Sequence, residues 1–134
     1  HAAGALGQIG TPEAIKVAMP ALIHLLQDQD VNVRRHAAGA LGQIGEGAID
    51  AVPALIHLLQ DQDEDVRLRK DVRFRAAVAL GRIGTPEAVE AAVSALMQLL
   101  QDQNKWVCRD AASALEQIGT LEALKAVGEY QSRK

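Results

Sequence analysis

Aromatic side chains are nearly missing from this chain of 134 residues, which has only Phe74, Trp106 and Tyr130. Sheets draw much of their inward surface from aromatic and β-branched residues, so the shortage argues against an all-β fold. Cysteine occurs once, as Cys108, which excludes an internal disulfide framework. No apolar run approaches the roughly 20 residues that span a bilayer as a helix, and no secretory leader is legible, so the cytoplasm is the expected compartment and no membrane partner is expected. A basic excess is lacking too. The net charge is −3, with 14 Lys and Arg against 17 Asp and Glu. Proteins that neutralise phosphates carry the opposite balance, so no nucleic-acid partner is expected.

What is present is repetition. The string HAAGALGQIG occupies 1–10 and recurs unchanged at 36–45, then returns as RAAVALGRIG at 75–84 and DAASALEQIG at 110–119. The closing glycines Gly10, Gly45, Gly84 and Gly119 fall 35, 39 and 35 residues apart. A second string alternates with the first: PALIHLLQDQD at 20–30 and again at 53–63, and SALMQLLQDQN at 94–104. Self-similarity at such a period marks a stack of supersecondary units, each too small to bury its own apolar face.

Both strings carry the helical period. At about 100° per residue, Ile15, Ala18, Met19, Leu22, Leu25 and Leu26 share one arc of the second helix, while Lys16, Pro20, His24 and Gln27 share the other. In the first helix Val33, Ala37, Ala40, Leu41 and Ile44 form a narrow stripe of mostly small residues, with Asn32, Arg35, His36, Gly39 and Gln43 facing away. Thr11-Pro12-Glu13 and Thr85-Pro86-Glu87 supply a capping hydroxyl, a first-turn proline and a first-turn carboxylate. The glycines before them suit a left-handed helix end. Short loops then force consecutive helices to pack antiparallel.

Two irregularities carry expectations. Pro20 and Pro53 sit inside second helices, where a proline removes a hydrogen bond and clashes one turn back, so a kink or break is expected at each. The third copy has Ser94 there and its helix should run unbroken from about Pro86 to Leu100. A six-residue duplication, DVRLRK at 65–70 before DVRFRA at 71–76, either lengthens its helix N-terminally by about 9 Å, the expected outcome, or swells the loop. Arg67, Arg69, Lys70, Arg73 and Arg75 lie there among Asp61, Asp63, Glu64, Asp65 and Asp71, a mixture that suits local ion pairs better than a phosphate site.

An Asp-rich loop, then Val-Arg, then a small-residue helix ending Leu-Gly-x-Ile-Gly resembles the HEAT repeat, and more narrowly the short HEAT-like repeats of the phycobilin-lyase type. The match rests on Asp30, Val33, Arg34, Ala37, Ala38, Leu41, Gly42, Ile44 and Gly45, echoed at Val72, Arg73, Ala76, Ala77, Leu80, Gly81, Ile83 and Gly84. The resemblance implies an all-α, right-handed α-α superhelix with second helices lining a concave surface and an Asp-to-Arg interaction tying each loop to the next helix. About four hairpin repeats, near 1–30, 31–63, 64–104 and 105–134, make one domain, the first repeat incomplete and the whole expected to be the C-terminal part of a longer array. In the fourth repeat Cys108 stands at the arginine position and Glu116 at a glycine position, so the ladder is expected to break there.

Catalytic signatures are lacking. No Ser-His-Asp set, Cys-x-x-Cys motif, closely spaced carboxylate pair or Gly-rich phosphate loop occurs. Deoxyhypusine hydroxylases resemble HEAT arrays that hold iron through His-Glu pairs, but none of His1, His24, His36 and His57 precedes a glutamate. His24 and His57 share one repeat position, but helices stacked about 10 Å apart keep two imidazoles from sharing a metal. No catalytic residue, cofactor or metal is expected. Cys108 reads as a buried structural thiol, and Trp106 as a loop residue packed on the preceding repeat.

The remaining expectation is a non-enzymatic scaffold for a protein partner. Its candidate contact residues are Lys16, Ile23, His24, Gln27, Asp50, Ile56, His57, Gln60, Glu90, Met97, Gln98 and Gln101 on the second helices. Resemblance to bilin lyases supplies an alternative, a chromophore-handling subunit.

Overall fold

A computed structural model of the chain describes residues 12–133. The opening string, with His1, Gly10 and the Thr11 cap, lies outside them. The described elements are α1 (Pro12–Leu25), α2 (Val31–Ile44), a 3-10 segment (Gly45–Ala51), α3 (Val52–Leu58), α4 (Val66–Ile83), α5 (Pro86–Leu99), α6 (Lys105–Ile118) and α7 (Leu121–Ser132), with no strand among them. The first helices α2, α4 and α6 pack side by side in one layer. The second helices α1, α3, α5 and α7 pack in the other, with the 3-10 segment bridging α1 to α3. This is the helical solenoid that the repeats imply.

Each start and stop has a local cause. The side chains of Asp30, Asp65, Thr85, Asn104 and Thr120 accept from N–H groups in the first turns of α2, α4, α5, α6 and α7. Gly84 and Gly119 close α4 and α6 at φ of 83° and 72°, a left-handed geometry that a side chain would strain.

The seam between the layers is leucine and alanine. Leu22, Leu41, Leu55, Leu80, Leu96 and Leu115 are fully buried, one per helix from α1 to α6. Cutting one of them to alanine costs about 2–5 kcal/mol. The buried stripe of the first helices is wider than the expected one: Ala38 and Gly42 are buried beside Ala37, Ala40 and Leu41. The first helix α4 packs on α2 and α6 in its own layer and on both the preceding α3 and the following α5 in the other, so small residues line more than one arc.

The two prolines behave differently. At Pro53 the expected break occurs: the 3-10 segment ends, α3 begins at Val52, and the proline occupies the first turn, where its missing N–H costs nothing. Pro20, in contrast, lies inside a continuous α1, which corrects the expectation of a break there. The sequence before each proline decides this, since Gly45-Glu46-Gly47 favours helix far less than Pro12-Glu13-Ala14. The third copy runs unbroken over Pro86–Leu99, as expected.

The duplication lengthens a helix, though by less than its six residues. α4 has 18 residues against 14 in α2 and α6, an extension of about 6 Å at 1.5 Å per residue. The rest enlarges the loop, because Asp65 caps the helix by accepting from Leu68 N–H.

Candidate partner-binding face

Second helices bury Ala18, Leu22 and their counterparts, so the opposite arc must face outward. The structure leaves Lys16, His24, Gln27, Asp50, His57, Gln60, Glu90, Met97, Gln98 and Gln101 exposed, with Ile23 and Ile56 half-buried at the edge of the core. The polar side chains of this row make no hydrogen bond or ion pair among the described residues. Equivalent repeat positions recur along it: His24, His57 and Gln98, then Gln27, Gln60 and Gln101. Lys16, Ile23, His24, Gln27 and Asp50 come together around a groove of about 970 Å³ between α1 and the 3-10 segment, floored by Ile15 and Met19. Glu90 stands in a second groove, between α5 and α7, facing Glu122. His57 and Gln60 border a hollow beside the Asp61 loop instead.

Charges on the first helices and loops are committed to internal work. The Arg34 guanidinium donates to the carbonyls of Asp28 and Gln29 in the loop before α2 and bridges to the Asp61 carboxylate, in the loop before α4, at 2.7 Å. Its carboxylate partner thus lies in the following Asp-rich loop, while Asp30 is occupied in capping α2. Arg73, at the same repeat position, donates twice to the Asp61 carbonyl. Lys70 makes the corresponding bridge to the following Asp-rich loop by reaching Asp102 at 2.7 Å. Burial works against ionisation of Asp102, but the Lys70 ammonium and the Asn104 N–H outweigh it and hold the carboxyl below its ordinary value.

The basic duplication is held in the same way. Arg69 donates to the Asp63 carbonyl, and Arg35 and Arg75 both bind the Asp71 carboxylate. These bonds support the expectation of local ion pairs. His36 lies between the two arginines, and burial together with Arg35 and Arg75 lowers its pKa.

The ladder does not break in the fourth repeat. The Cys108 thiol faces the Asp102 carbonyl at 3.0 Å and the Leu100 carbonyl at 3.4 Å, so a buried S–H does for that loop what guanidinium groups do in the two before it. Trp106 corrects the sequence reading in two ways. It lies in the first turn of α6, not in a loop, and its side chain is 63% exposed beneath the Arg109 guanidinium, which sits 5.0 Å from the ring centroid. Its backbone N–H donates to the Asn104 cap, which fixes the residue in the first turn of the helix.

Among the described residues no group of three His, Cys, Asp or Glu side chains is placed to hold a metal ion, and no helix is long and apolar enough to cross a membrane.

No curated protein matches the chain. Solved structures similar to it include two crystal structures of engineered proteins. The first is 33% identical with a TM-score of 0.61, covering 97% of this chain and 60% of the other. The second is 34% identical with a TM-score of 0.58, covering 97% and 36%. A third is a crystal structure of computationally designed armadillo repeat proteins for modular peptide recognition, 27% identical with a TM-score of 0.59, covering 97% and 63%. The chain therefore spans less than two thirds of the length of these proteins. Nothing in these likenesses points to the phycobilin-lyase type in particular. The family model of HEAT repeats matches three overlapping stretches, residues 1–70, 19–91 and 68–131, and with that coverage the chain belongs to the HEAT repeat family.

Proposed function

We propose that the chain is a non-enzymatic scaffold that binds a protein partner, as a peptide segment, along the second-helix row from Lys16 to Gln101. One observation carries the reading. Cations of the first helices and carboxylates of the loops are largely consumed in holding repeats together, while the row of His24, Gln27, His57, Gln60, Gln98 and Gln101 is exposed and engages nothing in the fold. Amide and imidazole groups at regular repeat positions offer donors and acceptors to an extended backbone. The designed armadillo neighbour, described as made for modular peptide recognition, is a precedent for a helical-repeat face used in this way.

The test is partner capture by a variant carrying His24→Ala, His57→Ala and Gln98→Ala together. These side chains are outside the core, so the melting temperature should hold while capture from a peptide display library collapses. Capture that survives the triple change refutes the assignment of this face.

A further inference from the structure

A hollow on the first-helix layer follows from the four-residue extension of α4. Val66, Arg67, Lys70, Asp71 and Phe74 of α4 form one wall, and Val107 and Asp110 of α6 form the other, around about 440 Å³. Val66 is 47% exposed at its mouth. Trp106, the residue before Val107 in the first turn of α6, exposes 63% of its surface. An indole left in water forfeits one of the largest apolar burials available to any side chain. One patch therefore carries both a projecting ring and a hollow able to take a ring.

We propose that this patch is a self-association face, in which Trp106 of each copy enters the Val66–Phe74–Val107 groove of the other. A two-fold interface needs one surface that is complementary to itself, with knob and hole side by side. The charges meet the same requirement. The lining holds two cations and two anions. Lys70 is already paired with Asp102, and Asp71 with Arg35 and Arg75. That leaves Arg67 and Asp110, of opposite sign, on opposite walls. A foreign segment of either sign would meet one like charge, whereas a second copy brings an aspartate for the arginine and an arginine for the aspartate. The face belongs to the first-helix layer, so pairing leaves the second-helix row of both copies open and makes the dimer bivalent.

Trp106 is the one tryptophan, so its emission reports on the contact directly. Sedimentation of the full chain from micromolar to millimolar concentration should show a monomer–dimer equilibrium, with the emission moving to shorter wavelength as dimer forms. Trp106→Ala removes the knob and Val66→Asp charges the hole. Each should weaken dimerisation at least about tenfold. Circular dichroism melting should be unchanged for both, since both positions are exposed. Mixing the two variants should recover a weakened heterodimer, because one intact knob still meets one intact hole. A chain that stays monomeric throughout, a dimer whose emission does not move, or one that survives Trp106→Ala overturns the proposal. A monomeric chain that still captures peptide leaves the scaffold reading intact, so the two ideas fail separately.

Discussion

Arg34 and Asp61, 27 residues apart in sequence, form an ion pair at 2.7 Å that ties the first turn of α2 to the loop leading into α4, with side chains only 13% and 6% exposed. The same guanidinium holds two carbonyls of its own loop, so a single side chain fixes both the loop and the step to the next repeat. A solenoid owes its stability to neighbour interfaces, and this pair sits on one.

Arg34→Ala should therefore lower the unfolding free energy by about 2–4 kcal/mol, since it strands a nearly buried carboxylate and two carbonyls together. Urea denaturation measures it. Arg34→Lys should recover only part of the loss, because an ammonium cannot serve Asp61 and the Asp28 carbonyl in the fork geometry.

Cys108 predicts a smaller effect of the same kind. Cys108→Ala removes the thiol that faces the Asp102 carbonyl in that loop and should cost about 1–2 kcal/mol. The thiol is 6% exposed, so a disulfide reagent should label it slowly in the native chain and at once in urea.

The glycines inside the first helices are not equivalent. A methyl group on Gly42 would lie 3.6 Å from Ala79, an ordinary contact, whereas one on Gly81 would come within 3.0 Å of the Ile118 side chain. Gly42→Ala should gain up to about 1 kcal/mol from helix propensity. Gly81→Ala should gain less or lose, since Ile118 must shift. Thermal melts of the two single variants check the order.

Acidification should act through His36. Burial, then Arg35 and Arg75, lower its pKa from 6.5 against a weaker pull from Asp71, so the unfolded chain binds the proton more readily than the folded one. Stability from this group is complete above the unfolded value and is lost as pH falls through it towards the folded pKa. His36→Gln should flatten the fall in urea midpoint between about pH 7.5 and 5. The shift of Asp102 acts lower, keeping its contribution above the ordinary carboxylate value of 3.8 and losing it on further acidification. Lys70→Met should remove most of that second loss.

Repetition made most of the fold legible. The strings at 20–30, 53–63 and 94–104 place Leu22, Leu55 and Leu96 alike, and all three are fully buried. The glycines at 84 and 119 stand at helix ends with positive φ, where a Cβ would be strained. The helical part of the candidate row was legible as an outward arc for the same reason: a helix that buries Leu22 and Met19 must turn His24 away, whereas Gln27, Gln60 and Gln101 lie in the turns after the second helices and Asp50 in the 3-10 segment. Periodicity along one helix is silent about what the adjacent repeat brings. That is why the carboxylate for Arg34 was not predicted to be Asp61, and why Cys108 read as a gap in the ladder.

Local chemistry in the chain settled which residues form helices, where capping side chains and glycines end them, and which leucines seek the seam. Propensity, capping and the 3.6-residue period act within a few residues and need no partner. Only the stacking of one repeat on the next decided that Lys70 takes Asp102 while Arg73 keeps the Asp61 carbonyl, and that Trp106 stands in solvent while Val107 lines a groove. Those outcomes depend on distances between groups far apart in sequence, and such distances exist only once the layers have closed.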